Sequence, residues 1–198
     1  MYLKPIITFV ACLNLIQVFA QEQIWTKQSK ISEAIAFEKQ INPNSKFSTR
    51  NIYLSKDYYP LFDKYQVTLP VVVERSETKM LPVSAEYFYT PADSTLRLVS
   101  YDWEKEKYGN LFDKQKLWAA ENKQFKSYNN EYERIRDIAI SQLGRPDTTD
   151  SAAVEIPYGD SKYLSRKTIW DTEDMHAELF MIFQAITHRI RLTIYWKK

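Results

Sequence analysis

The stretch His188-Arg-Ile-Arg-Leu-Thr-Ile-Tyr-Trp196 alternates between apolar and polar side chains almost without exception. Because successive side chains of a strand point to opposite faces of a sheet, this alternation predicts a strand with one buried face. Asp174–Phe183 shows the same period, with apolar residues at every second position from Met175 to Phe183. The two stretches therefore predict neighbouring antiparallel strands, and an antiparallel sheet at the centre of the fold.

Further strands are predicted on the N-terminal side of this pair. Thr90-Pro91-Ala92-Asp93 places proline where a type I turn favours it, so the strands on either side of it are expected to form a hairpin. The further predicted strands are Gln66–Glu74, Met80–Thr90, Ser94–Glu104 and Lys167–Asp171.

Two segments carry the three- and four-residue apolar spacing of amphipathic helices. The first is 28–41, which ends at Asn42-Pro43 because a residue before proline avoids helical geometry. The second is 123–143, followed by Gly144 at the position of a C-terminal cap. Residues 147–165 are polar and are expected to form a loop.

These elements predict an α+β fold in which helices pack on one face of one or more antiparallel sheets. The order of elements is helix and then three strands in each half of the chain. We therefore consider two tandem helix–three-strand units, in halves 21–104 and 105–198 of one globular domain over 21–198. The residue identities of the halves do not repeat, so the duplication rests on element order alone.

Residues 1–20 have the layout of a secretory signal. Lys4 precedes an apolar run, and Val18-Phe19-Ala20 supplies small residues at the first and third positions before a cut. We predict cleavage after Ala20 and a secreted or periplasmic protein of a bacterial cell envelope. The mature chain would contain no cysteine, and it has no Asn-x-Ser/Thr site, which is typical of bacterial rather than animal exported proteins.

Three other interpretations of this segment compete with a cleaved signal. A transmembrane anchor would need ~20 apolar residues, whereas Asn14 and Gln17 interrupt this run. A lipoprotein signal would use Cys12, but the chain stays apolar after it. A buried helix would make the charge and the cut-site pattern coincidental. No transmembrane segment is expected in the mature chain.

Composition narrows the class of function. The chain has 27 basic and 25 acidic residues, a net charge of +2 that falls to +1 without Lys4. A balance so close to neutral argues against nucleic acid as the main partner. With only three glycines there is no glycine-rich phosphate loop and no dinucleotide fingerprint, so no cofactor is predicted.

The densest polar cluster runs from Asp171 to Glu178. On a strand, Asp174, His176 and Glu178 share a face, and His188 could lie across the hairpin from them. A histidine between carboxylates can bind a divalent metal or act as a general base. The alternative is the solvent face of an amphipathic strand, which is the commoner situation.

Aromatic residues offer a second candidate site. Tyr87 and Tyr89 share one face of a strand, and Tyr101 and Trp103 share one face of its hairpin partner. If Phe88, Leu96 and Leu98 are the buried set, these four aromatic side chains are left partly exposed. Exposed tyrosine and tryptophan can stack on sugar rings or contact a partner protein. The alternative is that this row is the core beneath the helices.

No catalytic signature is present, so the chain is not expected to be an enzyme. The sequence favours a non-enzymatic binding or structural module that contacts an envelope protein or a glycan through an aromatic-rich sheet face. The alternative is a small metal-dependent hydrolase using Asp171, His176 and Glu178.

Overall fold

A nine-stranded antiparallel sheet is the framework of the protein. The structure, a computed structural model, describes residues 23–52, 54–75, 81–104, 116, 119–120, 122–184 and 187–198. Within them the helices are α1 (Ile31–Ile41) and α2 (Phe125–Leu143). The strands are β1 (Phe47–Thr49), β2 (Val71–Arg75), β3 (Val83–Tyr89), β4 (Leu96–Glu104), β5 (Thr148–Thr149), β6 (Val154–Tyr158), β7 (Ser161–Asp171), β8 (Met175–Gln184) and β9 (Thr187–Trp196).

The strand order is β1-β2-β3-β4-β9-β8-β7-β5, and β6 pairs with β7 off this path. Two meanders, β2–β3–β4 and β7–β8–β9, therefore meet where β4 pairs with β9. This is the order that two helix–three-strand units would adopt if their last strands paired. The α+β fold with an antiparallel sheet is confirmed, and the duplication of the two halves stays a prediction.

The strands from Met175 to Trp196 follow their sequence pattern closely, whereas the region before them does not. Residues 147–165 were expected to form a loop, and that expectation is wrong. They contain β5, β6 and the first half of β7. Tyr158 pairs with Ser161 across the two-residue turn Gly159-Asp160, where Gly159 has a φ of +56°. A Gly-Asp turn is a hairpin signal in its own right, and Val154, Ile156 and Tyr158 alternate with Glu155 and Pro157 before it.

Both helices pack on the same face of the sheet. Ala34 of α1 and Tyr128, Tyr132, Ile135 and Ala139 of α2 join one core with the inward residues of the strands. That core includes Val73, Ala85, Val99, Leu179, Met181, Ile190, Leu192 and Ile194. We call this side of the sheet the helix face and the other side the outer face.

A buried ion pair attaches α1 to the helix face. Glu38 is fully buried and Arg75 is 7% exposed, and Arg75 Nε lies 2.9 Å from Glu38 Oε2. Tyr87 donates its hydroxyl to Glu38, and Arg75 also donates to the carbonyl of Gln23 at 2.7 Å. The backbone N–H of Trp25 donates to Tyr101 Oη at 2.6 Å, and the two tyrosine hydroxyls are 3.2 Å apart. This network compensates each buried charge with hydrogen bonds.

A second buried arginine attaches α2 to the other half of the sheet. Arg166 of β7 is 1% exposed, forms an ion pair with Glu133 and lies over the ring of Tyr132. It also donates to Asn129 Oδ1 at 3.0 Å and to the carbonyl of Asp150 at 2.9 Å. The same side chain therefore fixes both α2 and the segment that follows β5.

The outer face is partly covered by the chain between β1 and β2. Leu54 and Tyr59 from that segment form a second apolar cluster with Phe88 and Leu98. Tyr195 packs against the cluster, and its ring meets Tyr59 edge-on with centroids 5.9 Å apart. The covered part of the outer face thus lies over β3, β4 and the end of β9.

No helix among the described residues is long and apolar enough to cross a membrane. The predicted signal 1–20, including Cys12, lies outside the described residues.

The Glu38–Arg75 pair yields a prediction about stability. Glu38→Ala leaves a buried guanidinium without its carboxylate, and we expect the free energy of unfolding to fall by about 3–5 kcal/mol. Gln40→Ala, an exposed change on the same helix, should alter it by less than about 0.5 kcal/mol. Urea unfolding followed by circular dichroism measures both, and equal stability of the two variants would contradict the assigned role of the pair.

Candidate functional site

The structure places the predicted aromatic site on the helix face, not at the surface. Tyr87, Tyr101 and Trp103 are 1%, 0% and 6% exposed and belong to the main core. Tyr89 is half-buried and packs against the same core. The expectation that these four residues form an exposed row is therefore corrected: they are part of the support beneath the helices.

The physical reason is that both faces of this hairpin bury apolar residues. Phe88 and Leu98 are buried as expected, but on the outer face, beneath the segment between β1 and β2. Leu96 lies in the main core because a register shift at Phe88/Tyr89 reverses the alternation there. Burial of Phe88 and Leu98 on one face therefore did not imply exposure of the aromatic side chains on the other face. Burial also raises the pKa of the Tyr87 and Tyr101 hydroxyls.

The predicted metal ligands do not come together. His176 pairs with Tyr195 and His188 pairs with Phe183, so the two histidines lie at opposite ends of the β8–β9 ladder. Seven residues of strand separate their register positions, which is ~23 Å at 3.3 Å per residue. The expectation that His188 faces the cluster across the hairpin is wrong. In the described part of the chain, no three His, Cys, Asp or Glu side chains are placed to hold a metal.

The acidic residues of the cluster have cationic partners instead. His176 Nδ1 lies 2.8 Å from Asp171 Oδ1, and Lys197 Nζ lies 2.9 Å from the same oxygen. Hydrogen bonds from Lys197 and then His176 lower the pKa of Asp171. Asp174 pairs with Lys198, and Glu178 pairs with Lys167 at 3.1 Å. These contacts close the end of the sheet and leave the carboxylates committed to ion pairs.

The feature that sequence reasoning missed is an apolar group on the outer face of β6, β7 and β8. Directly paired residues of antiparallel strands lie on the same side of a sheet, so the pairing identifies its members. We call it the outer band, and it consists of Val154, Ile156, Tyr158, Tyr163, Ile169, Phe180 and Ile182. Tyr158 is 67% exposed and Val154 is 48% exposed.

Charged residues border the outer band in register. Phe180 lies between Lys167 on β7 and Arg191 on β9, and Lys167 Nζ is 5.7 Å from the centre of its ring. Arg191 Nε lies 2.6 Å from Asp102 Oδ1, and Arg189 Nη2 lies 2.7 Å from Glu104 Oε2. Both arginines thus pair with carboxylates of β4.

One carboxyl group on the outer face, that of Glu86, has an unusually high pKa. Glu86 of β3 is 7% exposed, and burial followed by the negative charge of Asp102 raises its pKa to about 7. Arg191 and Arg50 oppose this rise, with Arg50 Nη1 3.5 Å from Glu86 Oε1. Glu74 adds to it. This group lies under the edge of the covering segment.

No protein-family model matches the chain, and no curated protein or solved structure is significantly similar to it.

Trp103→Ala distinguishes a core aromatic from a surface one. We expect a loss of about 3–5 kcal/mol in the free energy of unfolding, because the indole fills the core beneath the helices. Tyr158→Ala, at an exposed aromatic of the outer band, should change it by no more than about 0.5 kcal/mol. Chemical denaturation measures the stability of both variants. A Trp103→Ala variant as stable as the wild type would contradict the burial of Trp103 in the core.

Glu86 predicts a pH dependence of stability. Its pKa is higher in the folded protein than the ordinary 4.5, so the folded state holds the proton more tightly. The protonated form contributes fully below pH 4.5, and stability is lost as the pH rises to about 7. The free energy of unfolding of Glu86→Gln should therefore rise relative to that of the wild type between pH 5 and pH 8, by on the order of 1–2 kcal/mol.

Glu74→Gln is the matched control for this measurement, because Glu74 is an exposed neighbour on β2 with a 60% exposed side chain. The difference in the free energy of unfolding between Glu74→Gln and the wild type should vary less with pH than the difference for Glu86→Gln. A Glu86→Gln difference that stays constant from pH 5 to pH 8 would contradict a pKa of about 7 for Glu86.

Proposed function

We propose that this chain is an exported, non-enzymatic binding module that captures a protein partner on the outer band. The observation that carries the proposal is the band itself, in which half-exposed and exposed apolar side chains run across β6, β7 and β8. Export rests on the predicted signal at residues 1–20 and is part of the proposal.

The composition of the surface favours a protein partner. Interfaces combine apolar and aromatic side chains with arginine, and their energy concentrates in a few central residues. Here Phe180 is central, with Lys167 and Arg191 in register on either side. The bordering charges are paired within the chain, so the face presents alternating charge of both signs rather than one strong field. That pattern suits recognition of one complementary protein surface more than adsorption to an anionic polymer or lipid.

The proposal also accounts for the unequal cover of the outer face. Over β3 and β4, the segment between β1 and β2 buries Phe88 and Leu98. Over β6 to β8, no described element performs the same task. Addition of a strand at the β6 edge is a poorer mode, because Pro157 lacks a backbone donor there. Docking on the face is therefore the favoured geometry.

The test uses mature protein, residues 21–198, and an envelope extract of its source organism. Wild type, Phe180→Ala and Tyr158→Ala are immobilised beside Leu69→Ala, an exposed apolar change next to β2 across the sheet. We expect a protein retained by wild type and Leu69→Ala and lost from the two band variants. Phe180→Ala should weaken the purified complex roughly 30-fold, or about 2 kcal/mol.

Thermal unfolding verifies that each variant is folded. If Phe180→Ala is unstable, Tyr158→Ala still tests the outer band, because its side chain is exposed. A partner retained equally by all four proteins would place the binding surface elsewhere. Absence of any retained protein on the wild type would remove the proposal.

A further inference from the structure

A groove lies on the molecule at the end of the sheet, apart from the centre of the outer band. It has a volume of about 320 Å³ and is lined by Asn122, Glu155, Lys162, Tyr163, Leu164, Phe183 and Gln184. The hairpin of β6 and β7 forms one wall, because β7 extends beyond the end of β8. The short 3-10 turn Asn122–Gln124, just before α2, forms another.

The groove has a fixed apolar floor. Phe183 is 7% exposed, and its ring contacts Phe125 and Tyr128 with centroids 5.3 Å from each. The ring of His188 is 4.4 Å from that of Phe183. These rings hold Phe183 from the core side, so the floor is formed before any ligand arrives.

The polar rim is also held in place. His188 Nε2 lies 3.1 Å from Asn122 Oδ1, so the buried imidazole orients an amide at the rim. On the wall formed by the β6–β7 hairpin, Lys162 Nζ lies 2.7 Å from Glu155 Oε2. His188, considered above as a metal ligand, is thus a positioning residue for the groove.

The charge of the lining selects the class of ligand. Glu155 and Lys162 cancel each other, and the other lining side chains are uncharged. Two amides, one carboxylate and one ammonium offer hydrogen-bond donors and acceptors in similar number. An apolar floor with such a rim suits a ring that has an apolar face and a periphery of hydroxyl groups.

We propose that this groove binds a neutral saccharide unit, with one sugar face on Phe183 and Leu164 and hydroxyl groups on Asn122, Glu155 and Lys162. This is a second binding site, beyond the capture of a protein on the outer band. Tyr163 lines the groove and also belongs to the outer band, so it is left unchanged in the test.

The experiment measures binding of neutral oligosaccharides to mature protein. A surface array of neutral oligosaccharides identifies ligands, and saturation-transfer NMR confirms each of them in solution. We expect at least one with a dissociation constant below about 10 mM. Asn122→Ala and Glu155→Ala should each weaken it roughly tenfold, because each removes a hydrogen-bonding group from the rim.

Phe180→Ala is the control, since Phe180 lies in the outer band and not in the groove. It should leave saccharide binding unchanged even if it abolishes protein capture, so the two proposals fail separately. The saccharide proposal is overturned if no neutral oligosaccharide binds the wild type, or if binding survives in both Asn122→Ala and Glu155→Ala. Tighter binding of an anionic sugar than of any neutral one by the wild type would also overturn it.

Discussion

The Arg75–Glu38 ion pair is the constraint on which the first half of the structure depends. Taking both charges out of water is costly, and the cost is offset only when every donor and acceptor is satisfied. The partners come from separate parts of the chain: Gln23 before α1, Glu38 on α1, Arg75 on β2 and Tyr87 on β3. The pair therefore fixes the helix, the N-terminal segment and two strands relative to one another. In the second half, Arg166 joins β7 to α2 and to the loop at Asp150, with its Nη1 and Nη2 atoms hydrogen-bonded and its Nε atom buried without a partner among the described residues.

This arrangement determines which surfaces remain for binding. Because both helices lie on one face, the aromatic residues of β3 and β4 on that face serve the core and the polar network. The outer face is then covered over β3 and β4 by the segment that joins β1 to β2. Within the described part of the chain, the outer band over β6 to β8 and the groove at the end of β8 remain accessible. Both candidate surfaces thus follow from how the two meanders are covered, and neither requires a catalytic group.

Sequence pattern predicted the framework well and the surfaces poorly, for physical reasons. The strands from Met175 to Trp196 and the helix ending at Gly144 each bury one face, so apolar period identifies them. β6 and the start of β7 bury neither face. Val154, Ile156 and Tyr158 do alternate with Glu155 and Pro157, but the proline and the polar residues around this short run favour a loop, so the outer band was missed. The hairpin of β3 and β4 buries both faces, so alternation there could not show which side meets solvent. Arg75 and Arg166 are charged residues inside the protein, and no local pattern predicts that placement.

The two histidines show most directly how the sheet separates residues that sequence brings together. His176 and His188 occupy adjacent strands, and each has the carboxylate or amide partner that a functional histidine needs. The antiparallel register of β8 and β9 nevertheless places them at opposite ends of the ladder, because His176 pairs with Tyr195 whereas His188 pairs with Phe183. His176 then stacks on Tyr195 and closes the ion-paired end of the sheet. His188 lies next to the Gln184–Thr187 pair, where its imidazole orients Asn122 and its ring supports Phe183. The chemistry available to each histidine is set by its register position in the β8–β9 ladder, which is why one stabilises an edge and the other supports the groove.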